Sequence, residues 1–270
     1  MSCYHPVTIR SPNNEKAFIE VPCGKCAGCR KKLRNEWYFR LKIESRFNIS
    51  RFITLTYDED NIPYHVDEDS VIHYDVNKDH LTKFFKKMRK TNKFKYFVVS
   101  EYGKDGRPHY HLLLFSQNRI DIERYWNYGF IYDLPAKSGS FKYVCKYLLK
   151  GSKVPEGSNP NFMRCSKRPA IGYDYLDQIT VDKLSQPVVF DHNMKMSMPR
   201  YYRKKLYDQL DENQRKVMKD CVIEQLESYE PNHSLHEEMR RNNSHLTVNE
   251  YVKYKESKDD LIQKKINNGK

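Results

Sequence analysis

No stretch of this 270-residue sequence approaches the roughly 18 consecutive apolar residues that a membrane-spanning helix requires. Its start, MSCYHPVTIR, lacks the apolar core of a secretory signal. A protein that stays in a cytoplasm, with no membrane partner, is expected. A disulfide framework is missing too. Seven cysteines, an odd number without an export signal, read as reduced thiols or metal ligands. There is no internal repeat and no G-x-x-x-x-G-K-[ST] phosphate loop.

Positive charge is abundant and unevenly placed. The net charge of +13 and the pI of about 9.2 point to an acidic polymer or surface as partner. Residues 1 to 50 hold ten Lys and Arg against four Asp and Glu, and residues 80 to 150 hold fifteen against five. Residues 57 to 79 carry eight acidic side chains and one Lys, whereas residues 200 to 270 are nearly balanced at fifteen against thirteen. Nucleic acid is therefore expected on the first two segments.

Periodicity supplies the elements. In RKKLRNEWYFRLKIESRF, Leu33, Trp37 and Leu41 recur every four residues among basic ones, as on an amphipathic helix whose outer face, with Arg30, Lys31, Lys32 and Arg34, can meet phosphates. RFITLTYD reads as a strand closed by the acidic loop. HLTKFFKKMRK spaces Leu81, Phe84, Phe85 and Met88 as a helix with one buried stripe. KYFVVSEYG and HYHLLLF, separated by GKDGRP, read as adjacent antiparallel strands. A mixed aromatic stretch follows, YWNYGFIYDLP, and then SFKYVCKYLLKG, a helix stopped by Gly151. The order strand, helix, strand, strand, helix predicts an α+β protein with a central antiparallel sheet and packed helices. The divisions expected are a cysteine-containing basic segment and helix (1–50), a sheet-and-helix core (51–151), a loop-rich extension of that core (152–210) and a charged helical end (211–270).

In HYHLLLF a strand places His109, His111, Leu113 and Phe115 on one face. If Lys104, Asp105 and Gly106 form a three-residue hairpin loop, Glu101 pairs with His109, and the carboxylate joins both imidazoles on that face. A two-residue Asp-Gly turn would shift the register by one and aim Glu101 away. Two imidazoles and a carboxylate suit Zn²⁺, Mn²⁺ or Mg²⁺. On the following helix, Phe141, Val144, Cys145 and Leu148 share the core arc, which leaves Tyr143 and Tyr147 together on another face beside Lys146 and Lys150. Two phenols on a basic face can meet a phosphate, and the lysines and a metal would both favour the phenolate needed for attack.

These residues resemble the HUH endonuclease superfamily, in particular the replication initiators of microviruses, small single-stranded DNA phages of the gokushovirus type. FITLTYD resembles the family's first motif, RPHYHLLLF its His-hydrophobe-His metal motif and YVCKYLLK its two-tyrosine motif with an intervening lysine. PCGKCAGCR, RCSKRPAIGYDYL and MPRYYRKKLYD are similar to further segments, so the resemblance spans roughly residues 1 to 210. It implies an RRM/ferredoxin-like core and a site-specific single-strand endonuclease with strand-transfer activity. It further implies origin nicking in rolling-circle replication, a 5′-phosphotyrosine on Tyr143 or Tyr147, and rejoining of the strand. Mg²⁺ or Mn²⁺ would be the cofactor, single-stranded origin DNA the substrate, and a host bacterial cytoplasm the setting. A host DNA polymerase and, given the missing phosphate loop, a host helicase would be partners. Other readings of the residues are a non-catalytic DNA-binding protein, a hydrolytic metallonuclease and a tyrosine transposase.

Cys23, Cys26 and Cys29 form C-x-x-C-x-x-C, and with Cys3 or His5 as fourth ligand they suit a structural Zn²⁺. Three reduced thiols in a turn before a helix fit the spacing equally well. An iron-sulfur run would need another cysteine four residues on, which Arg30 to Leu33 does not supply.

Overall fold

The computed structural model describes residues 3–11, 18–147, 154–184, 188–191, 194–227, 233–242 and 244–267. The strands are β1 (Val7–Arg10), β2 (Phe18–Val21), β3 (Ile49–Leu55), β4 (Tyr64–Val66), β5 (Ile72–Tyr74), β6 (Lys95–Tyr102), β7 (Pro108–Ser116), β8 (Ile131–Pro135), β9 (Met163–Cys165), β10 (Val188–Asp191) and β11 (Met194–Ser197). The α-helices are α1 (Ala27–Phe47), α2 (Lys78–Arg89), α3 (Ser138–Lys146), α4 (Arg200–Tyr207), α5 (Glu212–Glu227), α6 (His233–Arg241) and α7 (Val248–Asn267). The chain forms two compact units, one of residues 37–179 and one of residues 1–36 with 180–270. Among the described residues no helix is long and apolar enough to cross a membrane.

The unit of residues 37–179 is built on a five-stranded antiparallel sheet in the order β8-β3-β7-β6-β9, so the α+β architecture is as expected. The central strands β6 and β7 are buried along nearly their whole length because both of their faces are covered. On one face Val98, Tyr110, Leu112 and Leu114 meet Leu81, Phe84, Phe85 and Met88 of α2. All four stripe residues of α2 are buried, as their spacing requires, and burial of such side chains contributes about 1.5–3 kcal/mol each. Asn77 starts α2 by accepting the backbone N–H groups of Asp79 and His80 at 2.8 and 3.0 Å. On the other face Phe97, Val99, Leu113 and Phe115 meet Leu41 of α1 and Phe141, Val144 and Cys145 of α3.

Several details depart from the sequence reading. The stripe on α1 does not hold over its first turns: Leu41 is fully buried, but Leu33 is 44% exposed. The aromatic stretch after β7 contains an edge strand, β8, and the acidic segment contains the β4–β5 hairpin, where His65 faces Asp75 at 2.5 Å and His73 faces Asp67 at 2.7 Å. The described part of α3 ends at Lys146 with Tyr147 as its cap; Leu148, Lys150 and Gly151 lie outside the described residues.

In the second unit, β1 and β2 pair as a hairpin. Tyr4 and Cys26 pack with Leu235 of α6 and Val252 of α7. The Tyr4 hydroxyl donates to Asp259 at 2.8 Å.

Candidate active site

The site is assembled by the β6–β7 hairpin, and its turn decides the register. The Gly103 N–H donates to the Arg107 carbonyl at 2.9 Å, which leaves Lys104, Asp105 and Gly106 as the three-residue loop. Gly106 sits at φ +73°, the left-handed conformation that a side chain would strain. The resulting pairing sets Glu101 opposite His109 and Tyr102 opposite Pro108. The two-residue turn is thereby excluded, and Glu101, His109 and His111 share one sheet face.

Their ligand atoms all lie within 4.8 Å of one another, as a shared cation would need. Glu101 Oε2 is 3.1 Å from His111 Nε2 and 3.4 Å from His109 Nε2. Both imidazoles therefore present Nε2 to the centre, and each Nδ1 is occupied behind it. His109 Nδ1 faces the Arg107 carbonyl at 3.4 Å, and His111 Nδ1 faces the Thr54 hydroxyl at 3.2 Å. A hydroxyl suits this place because it donates to Nδ1 when Nε2 carries the proton and accepts from Nδ1–H when the Nε2 lone pair is turned to a cation. Phe52 stacks on the His111 ring at 5.7 Å with only 9° between planes.

The electrostatics suit a ligand set. Burial works against the Glu101 charge, but hydrogen bonds from His109, His111 and Tyr147 outweigh it and hold the carboxyl well below the usual range. Burial pushes His111 down despite the pull of Glu101, which favours the neutral imidazole that a metal ligand requires.

Packing of α3 brings both tyrosines to this centre. With Phe141, Val144 and Cys145 in the core, Tyr143 and Tyr147 project beside them toward β6 and β7. The Tyr147 hydroxyl donates to Glu101 and lies 2.9 Å from the Tyr143 hydroxyl, which is 3.4 Å from His111 Nε2. Burial, followed for Tyr147 by its bond to Glu101, holds both phenols above their ordinary value. Lys146 Nζ does not reach the hydroxyls; it lies over the two rings, 4.2 Å from the Tyr143 centroid and 5.2 Å from that of Tyr147.

Sequence reasoning missed Thr54 and Phe52 as supports of His111, although both lie in FITLTYD. The signal was present there as alternation along the strand, with half-buried Phe52 and Thr54 on one face and buried Ile53 and Leu55 on the other. It also missed the exposed side chains of β8. Tyr132 and Leu134 pair with Thr54 and Phe52, so they share the face of the site, at 63% and 41% exposure. Phe130, two residues earlier, is 71% exposed.

The other candidates lie on the second unit. Arg30, Lys31, Lys32 and Arg34 follow one another on the first turns of α1; Arg30 is exposed, but Lys31 sits 3.7 Å from Asp259 and Arg34 bonds Asn35. Cys3, not His5, completes the cysteine group: the sulfurs of Cys3, Cys23, Cys26 and Cys29 lie within 4.8 Å of one another, while His5 faces Glu256 at 2.6 Å.

Residues 50–152 match the model of a family of replication-associated proteins of the ORF2 type. That segment holds Glu101, His109, His111, Tyr143 and Tyr147 together. The Replication-associated protein ORF2 of Spiroplasma virus 4 is 28% identical over 252 residues, covering 76% of this chain and 76% of its own length. The kinship with virus replication proteins read from the motifs is borne out. No solved structure matches.

Proposed function

We propose that this replication-associated protein is a rolling-circle initiator that cuts one DNA strand with a tyrosine nucleophile and later rejoins it. The observation that carries the reading is the convergence of two phenolic hydroxyls, two imidazole Nε2 atoms and one carboxylate on a single sheet face. A metal-binding or DNA-binding surface alone gives no reason for the tyrosines to be there.

Glu101, His109 and His111 would hold Mg²⁺ or Mn²⁺, and a cation there supplies Lewis-acid stabilisation of charge on a phosphate oxygen. The chain does the rest. Tyr143 and Tyr147 are held within hydrogen-bond reach of each other, so either oxygen can be presented to the same phosphorus. In the cut, a phenolic oxygen loses its proton and bonds to phosphorus, the bond from phosphorus to the 3′ oxygen breaks, and that oxygen takes up a proton. The 5′ phosphate stays on the tyrosine. Attack by a 3′ hydroxyl on this phosphotyrosine reverses the step and reseals the strand, and a second tyrosine permits two transfers in succession. Exposed Phe130 and Tyr132 offer ring faces on which bases of a single strand stack beside the site.

The test is incubation of the purified chain with Mn²⁺ or Mg²⁺ and labelled oligonucleotides tiling the viral strand of its own genome, followed by a denaturing protein gel. A metal-dependent covalent band is expected, lost in Tyr143→Phe/Tyr147→Phe. Cleavage without a covalent band would replace the reading with hydrolysis by water; binding without cleavage across the whole tiling would replace it with a DNA-binding role.

A further inference from the structure

We infer that Cys3, Cys23, Cys26 and Cys29 bind a structural Zn²⁺ that fastens the start of the chain to α1. The inference does not rest on DNA cleavage: none of the four residues belongs to residues 50–152 or to the Glu101, His109 and His111 group.

The geometry is that of a tetrahedral thiolate site. Zinc-sulfur bonds of about 2.3 Å put the corners of a tetrahedron about 3.8 Å apart. The Cys3 and Cys26 sulfurs are 3.8 Å apart, and all four lie within 4.8 Å of one another. A disulfide would bring two of them to about 2 Å, yet all four are free thiols.

Local backbone structure builds the group. Pairing of β1 with β2, Val7 against Val21, folds the chain back so that Cys3 returns to Cys23. Gly24 at φ +74° turns the chain between the first two cysteines of the C-x-x-C-x-x-C run. Four backbone N–H groups then point at sulfur: Tyr4 to Cys26 at 3.3 Å, Cys23 to Cys3 at 3.3 Å, Lys25 to Cys23 at 3.4 Å and Cys26 to Cys23 at 3.3 Å. Such donors stabilise thiolates, whose four negative charges exceed the two positive charges of one zinc ion. Cys26 and Cys29 also stand at the N-terminal end of α1, where the helix dipole favours anions. Soft sulfur ligands in tetrahedral array, without oxygen or nitrogen donors, select zinc over the magnesium or manganese suited to the other group.

Around the group, Tyr4 and Cys26 pack on Leu235 and Val252. The site thus secures the contact between the first residues of the chain and helices α6 and α7, and it sets the first turns of α1 that carry Arg30, Lys31 and Lys32.

The full chain is purified under reducing conditions without chelator and its metals are measured by plasma mass spectrometry. One zinc per chain is expected in the wild type and in Glu101→Gln/His109→Ala/His111→Ala, and its loss in Cys23→Ser/Cys26→Ser. Because that cysteine variant can fail to fold, the wild type is also titrated with an organomercurial and loaded with Co²⁺; stoichiometric zinc release and the intense visible bands of tetrahedral cobalt thiolate are expected. Absence of zinc with four immediately reactive thiols, iron in its place, or zinc that disappears with the Glu101, His109 and His111 substitutions would each overturn the inference.

Discussion

Replacing Thr54 by Val isolates the hydroxyl contact behind His111. Valine keeps the shape and strand preference of threonine but removes the hydroxyl 3.2 Å from Nδ1. His111 is only 6% exposed, so water cannot freely take that place. A buried imidazole N–H left without a partner costs about 1–3 kcal/mol. Loss of an outer partner of a metal-ligating histidine independently costs about 10–100-fold in metal affinity, or about 1.4–2.7 kcal/mol at 1.36 kcal/mol per tenfold. Since the two figures overlap, Mn²⁺ affinity in Thr54→Val should fall about 10–100-fold. Calorimetric titration with Mn²⁺ measures it directly, and the Mn²⁺ concentration giving half-maximal covalent adduct should rise in parallel. Thr54→Ser should restore most of the loss. If Thr54→Val binds Mn²⁺ as tightly as the wild type while its unfolding midpoint is unchanged, the hydroxyl does not orient His111 and this account of the centre is wrong.

Three other expectations concern separate parts of the same unit. Glu44 is fully buried on α1 and accepts from Lys95 Nζ at 2.9 Å, the Gly172 N–H at 2.7 Å and Asn48 Nδ2 at 2.7 Å. In Glu44→Ala, Lys95 keeps Asp174 at 2.9 Å and Asn48 keeps the backbone carbonyl of position 44 at 3.2 Å, but the Gly172 N–H loses its carboxylate, so the substitution should cost about 1–3 kcal/mol in urea unfolding. A cost under about 1 kcal/mol would show that the network adds little. Tyr132→Ala should weaken single-stranded DNA binding by about 1–3 kcal/mol in fluorescence anisotropy and leave Mn²⁺ affinity unchanged; unaltered DNA binding would remove β8 from the DNA path. The bond to Asp67, working against burial, raises the His73 pKa. The stability it contributes to the β4–β5 hairpin is therefore full below the ordinary histidine value and is lost as pH rises through the raised one. Asp67 is lowered, chiefly by its bond from His73, so its share is present above the ordinary aspartate value and fades as pH falls through the lowered one. Histidine NMR titration should show the His73 midpoint moving down in Asp67→Asn, and an unmoved midpoint would refute the pairing.

Much of the site was legible because local chemistry carries it. The α2 stripe of Leu81, Phe84, Phe85 and Met88 needs only helical periodicity, and the register that pairs Glu101 with His109 follows from a short loop in which Gly106 takes a left-handed conformation. The separation of Tyr143 and Tyr147 from the core residues of α3 is likewise a matter of helical angle. The edge strand β8 was not legible. Its residues alternate half-buried and exposed, and only pairing with β3, some eighty positions earlier in sequence, makes them a strand.

What the sequence determined by itself was which residues share a face within one helix or one hairpin, since spacing and turn geometry act over a few bonds. The tertiary structure alone decided how such faces meet: that Thr54 stands behind His111, that the Tyr147 hydroxyl reaches Glu101, and that Cys3 rather than His5 joins the other three cysteines. Those choices depend on packing between segments distant in the chain, and distances set by packing leave no periodic mark in the order of residues.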